Sequence, residues 1–123
     1  MVKGIVFILF AYIFGSIPTG VILSRYWAKV DVTKRGSGNI GATNVYRTVG
    51  KGLGALTLLG DVIKGVIPVA VAVWLFKSQT WISLTALSAF MGHLYPVFLR
   101  FRGGKGVATA VGVCFPIVPW ALL

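Results

Sequence analysis

Two glycine-rich basic stretches carry the residue types needed to hold an anion: GSGNIGATNVYR, from Gly36 to Arg47, and RGGKG, from Arg102 to Gly106. Glycines let successive backbone N–H groups turn inward, and neighbouring Ser, Asn, Arg and Lys side chains add donors to such a nest. In the first stretch Gly36, Gly38 and Gly41 alternate with Ser37, Asn39 and Asn44, and Arg47 closes it. In the second, Gly103, Gly104 and Gly106 flank Lys105. The VATAV that follows opens a helix whose free N–H groups and partial positive charge favour an anion. Neither stretch has the G-x-x-x-x-G-K-[ST] spacing of a nucleotide-hydrolysing P-loop. A polar turn of ordinary composition uses many of the same residues, so the surroundings must decide between nest and turn.

Three ionisable residues lie inside apolar runs, where a charge costs roughly 2.5 to 3.5 kcal/mol on insertion scales. Asp61 and Lys64 are spaced i, i+3 on one helix face and are expected to pair with each other. His93 lies eight positions before Phe101, and Asp61 eight after Leu53, so both sit about 12 Å from the same membrane face. That equal depth predicts one polar network of Asp61, Lys64 and His93 beneath the two glycine-basic stretches, either structural or supporting catalysis. Cys114 stands alone in an apolar run, which excludes a disulfide framework or a Cys-based metal site. It is expected to be a buried small apolar residue.

These groups have to be positioned by apolar elements. Of 123 residues, 57% are hydrophobic and 11% charged, with mean hydropathy +0.90. Soluble domains carry about 25% charge, so an integral membrane protein is indicated. The net charge of +10 would suggest nucleic acid in a polar chain. Here the cations gather at the ends of apolar runs, and no nucleic-acid partner is expected. Four runs, Gly4 to Leu23, Leu53 to Phe76, Trp81 to Phe101 and Val107 to Leu123, predict an all-α polytopic membrane helix bundle. It would have about four transmembrane spans and form a single domain over residues 1–123. The first run is too long for a signal peptide, lacks an A-x-A-like cleavage site and is followed by further spans, so it is retained as a helix. Within it GSIPTG, Gly15 to Gly20, predicts a break at Pro18 whose freed carbonyls need partners from neighbouring helices or a wet cavity.

Arg25, Lys29, Lys34, Arg35, Arg47 and Lys51 fall in the first connection, and Arg100, Arg102 and Lys105 around the third. Only Lys3 and Lys77 fall on the opposite side. The positive-inside rule then puts both glycine-basic stretches on the cytoplasmic face and the N-terminus outside. The last run barely reaches the roughly 20 residues of a span, so further chain is expected beyond Leu123.

Four blocks, GSIPTG, GSGNIGATNVYR, GDVIKG at Gly60 to Gly65 and GHLYPVFLRFRGGKGVAT from Gly92 to Thr109, occur in this order along the spans. Together they resemble the bacterial acyl-phosphate-dependent glycerol-3-phosphate acyltransferase (PlsY) family over nearly the whole stretch from Gly15 to Thr109. The resemblance implies a multi-pass protein of the bacterial cytoplasmic membrane. It also implies transfer of a fatty acyl group from acyl phosphate to the 1-hydroxyl of sn-glycerol 3-phosphate, giving lysophosphatidic acid and phosphate, with no metal or soluble cofactor. The family's first motif falls on Ser37 and Arg47, with Gly38, Asn39, Gly41 and Asn44 shaping the loop. Its glycine-rich second motif falls on Gly103, Gly104, Lys105 and Gly106 and implies glycerol 3-phosphate binding. The family's third motif, with a functional histidine, asparagine and glutamate, is absent here, so the chain resembles the N-terminal part of a larger bundle.

Such chemistry suits the residues. Two phosphate-bearing substrates meet many cations and only two carboxylates, Asp31 and Asp61. Acyl phosphate is already activated, so the protein has to supply proximity and donors for the developing oxyanion and departing phosphate. Arg47 and Lys105 are the expected electrostatic clamps and Ser37 a donor to substrate. The base for the hydroxyl is left open between substrate phosphate and His93. The competing class is a small membrane transporter or channel subunit for an organic phosphate, which would use the broken first helix and the intramembrane polar residues as a permeation path.

Overall fold

A backbone removed from water has to satisfy its own N–H and C=O groups, and the apolar runs accordingly fold as helices. The computed structural model describes residues 1–118, among which there is no strand. Its α-helices are α1 (Val2–Gly15), α2 (Thr19–Leu23), α3 (Ala42–Thr48), α4 (Lys51–Leu75), α5 (Gln79–Leu94) and α6 (Val107–Cys114). The 25-residue α4 is about 37 Å long, enough to cross a bilayer. Gln79–Leu99, comprising α5 and the short helical turn after it, is also long and apolar enough to cross. Val2–Gly15 and Thr19–Ala28, α1 and the α2 segment, are together long and apolar enough for a third crossing and are bent by 41° at the expected break.

Small residues let the helix axes approach closely, which membrane helices need because lipid provides no hydrophobic drive for their association. Where α1 crosses α5, a Cβ on Gly15 would strike the Ala89 carbonyl and one on Gly92 the Tyr12 carbonyl. Ser88 Oγ donates to Ile8 O across the same seam at 2.8 Å. Where α4 crosses α6, a Cβ on Gly112 would strike the Val62 carbonyl, and Thr109 Oγ1 donates to Asp61 O at 2.9 Å. Ala11, Val69, Ala72, Ile82, Ala89 and Val113 form the core between these helices. Outward faces are apolar instead, with Ile5, Leu9, Ile13, Leu59, Ile67 and Trp74 exposed, while Thr57, Asp61, Lys64, Thr85, His93 and Thr109 are buried. Polar groups inside and apolar groups outside are the arrangement a lipid solvent selects.

The connection from Lys29 to Gly50 is no free loop. Val21, Val32, Ile40 and Val45 close a second small core beneath it. Asp31 caps the turn Val32–Lys34, where the Thr33 hydroxyl bonds to its carboxylate and holds the Asp31 carboxyl below its ordinary range.

Some boundaries and environments differ from expectation. The third helix ends at Leu94, not Phe101, because Pro96 follows and the chain turns through Arg100 and Phe101 at φ of 54° and 65°. Among the described residues the fourth run is an α-helix over Val107–Cys114, and its last residues, 119–123, lie outside the described ones. Cys114 is exposed, not buried. On α6 the inward stripe is Thr109, Gly112 and Val113, and the next position rotates about 100° away, toward the lipid side.

Gly112→Leu is predicted to force α4 and α6 apart and to destabilise the protein by the ~1–3 kcal/mol usual for overpacking. Thermal unfolding in detergent reads this directly, and an unchanged midpoint would mean that the seam is not a close backbone contact.

Candidate active site

The two glycine-basic stretches meet at one end of the bundle. They share a cavity of about 470 Å³, lined by Ser37, Asn39, Gly41, Asn44 and Arg47 from the first and by Lys105 and Gly106 from the second. Local structure explains how each arrives. In the first stretch Gly36 and Gly38 take φ of 55° and 75°, a left-handed geometry that only glycine adopts without strain. The chain then enters α3, which carries Asn44 and Arg47 three residues apart on one face. In the second, the left-handed pair Arg100 and Phe101 turns the chain back against the end of α5. Gly104 donates its N–H to His93 O at 3.2 Å, and a Cβ on Gly104 would strike the His93 imidazole. Gly106, at φ 85°, is the N-cap of α6, and Lys105, Gly106, Val107 and Ala108 at this helix start line the cavity.

Beneath the stretches lies the expected polar network. Lys64 Nζ is 3.1 Å from Asp61 Oδ1, with both side chains only 4% exposed. The same Asp61 oxygen is 3.9 Å from His93 Nδ1, a buried atom that has no hydrogen-bond partner. Lys64 Nζ also donates to Ile17 O at 2.9 Å, the carbonyl just before Pro18. The break in the first span is thus partnered by a side chain from α4. Asp61 and His93 line the cavity, whereas Lys64 does not.

The remaining residues expected at the site divide clearly. Gly38, Gly103 and Gly104 do not line the cavity; they shape the turns that deliver Ser37 and Lys105. Asn44, expected to meet phosphate, has its carboxamide engaged within its own loop, so its donors face backbone carbonyls. Asn39 Oδ1 accepts the Gly41 N–H at 2.8 Å, an Asx turn leading into α3. Ser37 Oγ accepts the Asn39 N–H at 3.3 Å, and among the described residues no carboxylate or imidazole is bonded to it. Its own proton is therefore free for a ligand oxygen.

An apolar wall was not anticipated from the sequence. Leu58 and Val62 from α4 face Val107 and Val111 from α6, and Ala42 and Thr43 complete the rim. Each apolar pair is spaced i, i+4, a signal that becomes legible only once α4 is known to pack on α6. A cavity that combines clustered donors with hydrocarbon suits a molecule with a phosphate head and an acyl tail. A second cavity, of about 420 Å³ beside Ile17, Pro18, Val21 and Phe98, has Arg25 as its only charged side chain and none of these clustered donors.

Comparison with known proteins shows the family. A family model for glycerol-3-phosphate acyltransferase matches residues 5–123. The chain belongs to the glycerol-3-phosphate acyltransferase family. Among relatives named glycerol-3-phosphate acyltransferase, that of Geotalea daltonii is 54% identical over 123 residues, covering 100% of this chain and 63% of its own. That of Geobacter metallireducens is 57% identical over 113 residues, covering 92% and 58%. The crystal structure of PlsY (YgiH), an integral membrane glycerol 3-phosphate acyltransferase, in its glycerol 3-phosphate form matches with a TM-score of 0.90 at 44% identity, over 96% of this chain and 59% of that one. Its lysophosphatidic acid form matches with a TM-score of 0.87 at 43% identity, over 96% and 58%. This chain of the acyltransferase family thus spans about three fifths of the length of the relatives it matches.

Lys64→Met is predicted to destabilise the protein by about 3–5 kcal/mol, because it leaves the buried Asp61 carboxylate without its cation. Adding Asp61→Leu should recover much of that loss in thermal unfolding; no recovery would mean that the two charges are not a mutually dependent pair.

Proposed function

We propose that the cavity is the site at which a fatty acyl group passes from acyl phosphate to the 1-hydroxyl of sn-glycerol 3-phosphate, releasing lysophosphatidic acid and phosphate. The observation that carries this reading is the meeting of both glycine-basic stretches, with Ser37, Arg47 and Lys105, on one cavity that Leu58, Val62, Val107 and Val111 also line. Family membership and the likeness to PlsY in its glycerol 3-phosphate and lysophosphatidic acid forms support the same acceptor and product.

Chemically, the glycerol hydroxyl attacks the acyl carbonyl, the C–O bond to phosphate breaks, and the hydroxyl proton leaves with the departing phosphate. Arg47 and Lys105 clamp the two phosphates and offset the charge that builds on the leaving group. Gly106 and the free N–H groups of α6 add backbone donors beside Lys105. Ser37 Oγ donates to a substrate oxygen; with no bonded base it acts as a donor, not as a covalent nucleophile. The acyl tail lies along Leu58, Val62, Val107 and Val111. Substrate phosphate serves as the proton acceptor, since the buried Nδ1 of His93 faces Asp61. The cation-rich end of the bundle is cytoplasmic by the positive-inside rule, in a bacterial inner membrane with the N-terminus outside.

Purified protein in detergent, given acyl phosphate and labelled glycerol 3-phosphate, should form lysophosphatidic acid. Uptake of the labelled phosphate into vesicles without product would instead carry the transporter reading. Lys105→Ala should raise the KM for glycerol 3-phosphate about tenfold or more, the loss of one charge-assisted contact, and an unchanged KM would remove the clamp assignment. Incubation with radiolabelled acyl phosphate should leave no label on the protein; a trapped adduct at Ser37 would overturn direct transfer.

A further inference from the structure

We infer that Asn44 is a positioning residue that sets Ser37 in register with Arg47, an inference resting on the acyl-transfer reading above. Asn44 is 3% exposed. Its Nδ2 lies 3.0 Å from Val32 O, 3.1 Å from Arg35 O and 2.7 Å from Asn39 O. Two amide hydrogens shared among three carbonyls leave none for a ligand. Its Oδ1 accepts the backbone N–H of Ser37 at 3.2 Å. One carboxamide therefore fastens four points of the preceding connection to the first turn of α3, the helix that presents Arg47 one turn later.

The surroundings hold this clip in place. The Thr48 hydroxyl donates to Asn44 O at 2.7 Å, and the chain passes so closely that a Cβ on Gly36 would collide with Asn44 Oδ1. Ser37 and Arg47 are ten residues apart and sit on opposite sides of a turn-rich segment. Without the clip, the relative placement of hydroxyl and guanidinium would rest on the small core of Val21, Val32, Ile40 and Val45 and on short turn bonds, none of which ties Ser37 directly to α3. Because a shift of about 1 Å in a reacting group can cost on the order of 100-fold in rate, the clip acts on catalysis through Ser37 without touching substrate.

A double-mutant cycle on acyl transfer tests this. Asn44→Ala should lower kcat/KM about 30-fold with Ser37 present, and no more than about threefold in a Ser37→Ala background, since residues acting through one another are non-additive. Asn44→Ser, which keeps one short polar group at the site, replaces Asn44→Ala if the latter does not fold. Equal losses in both backgrounds, with Ser37→Ala itself damaging, would overturn the positioning role alone. A Ser37→Ala enzyme of full activity would overturn both this inference and the role given to Ser37 in the parent reading.

Discussion

The buried ammonium of Lys64 is the contact on which the rest of the bundle depends. It joins the carbonyl of Ile17, where Pro18 breaks the first span, to the Asp61 carboxylate on α4. Thr109 on α6 donates to the Asp61 backbone carbonyl, and His93 Nδ1 on α5 lies 3.9 Å from the same carboxylate. Four helical segments thus converge on two residues of one helix turn, Asp61 and Lys64. A buried ion pair contributes little net stability compared with a hydrophobic replacement, but losing one partner is expensive, so the arrangement specifies geometry more than it adds stability. What it specifies is where the broken first span, and with it the connection that starts at Lys29, sits relative to α4 and α6.

Above that junction, the two basic stretches reach one cavity by different devices. The first is a packed cap with its own apolar core and its own internal carboxamide clip. The second is a turned-back strap, held by left-handed residues and by glycines that pass against His93. Both leave cations at the cavity, while the junction keeps Asp61, the one carboxylate lining it among the described residues, paired. The result is a cavity lined both by cationic side chains and by hydrocarbon from α4 and α6. Such a cavity matches an amphiphile whose phosphate end reacts and whose tail remains in lipid.

Much of this was legible in the sequence because membrane folding imposes strong rules. Apolar run lengths gave the helices, cation asymmetry brought Ser37 and Lys105 to one end, and i, i+3 spacing paired Asp61 with Lys64. Glycine and cation content singled out the two stretches that meet at the cavity, and the shared depth of Asp61 and His93 anticipated their approach. What escaped depends on packing partners. The seven residues of α3 were hidden in a segment whose composition reads as loop. Asn44 has the chemistry of a phosphate ligand, and only the positions of Val32, Arg35 and Asn39 reveal that its donors are engaged. The apolar wall of Leu58, Val62, Val107 and Val111 exists only because α6 lies on α4, and the outward turn of Cys114 follows from the same contact.

The central claim is that one cavity holds the phosphate of the acceptor beside the donors of both stretches. A structure of the protein with bound sn-glycerol 3-phosphate tests it most directly. The account predicts the phosphate within hydrogen-bonding distance of Lys105 or Arg47 and the glycerol hydroxyls toward the apolar wall. A phosphate bound outside this cavity, with Ser37, Arg47 and Lys105 all free of contact, would contradict it.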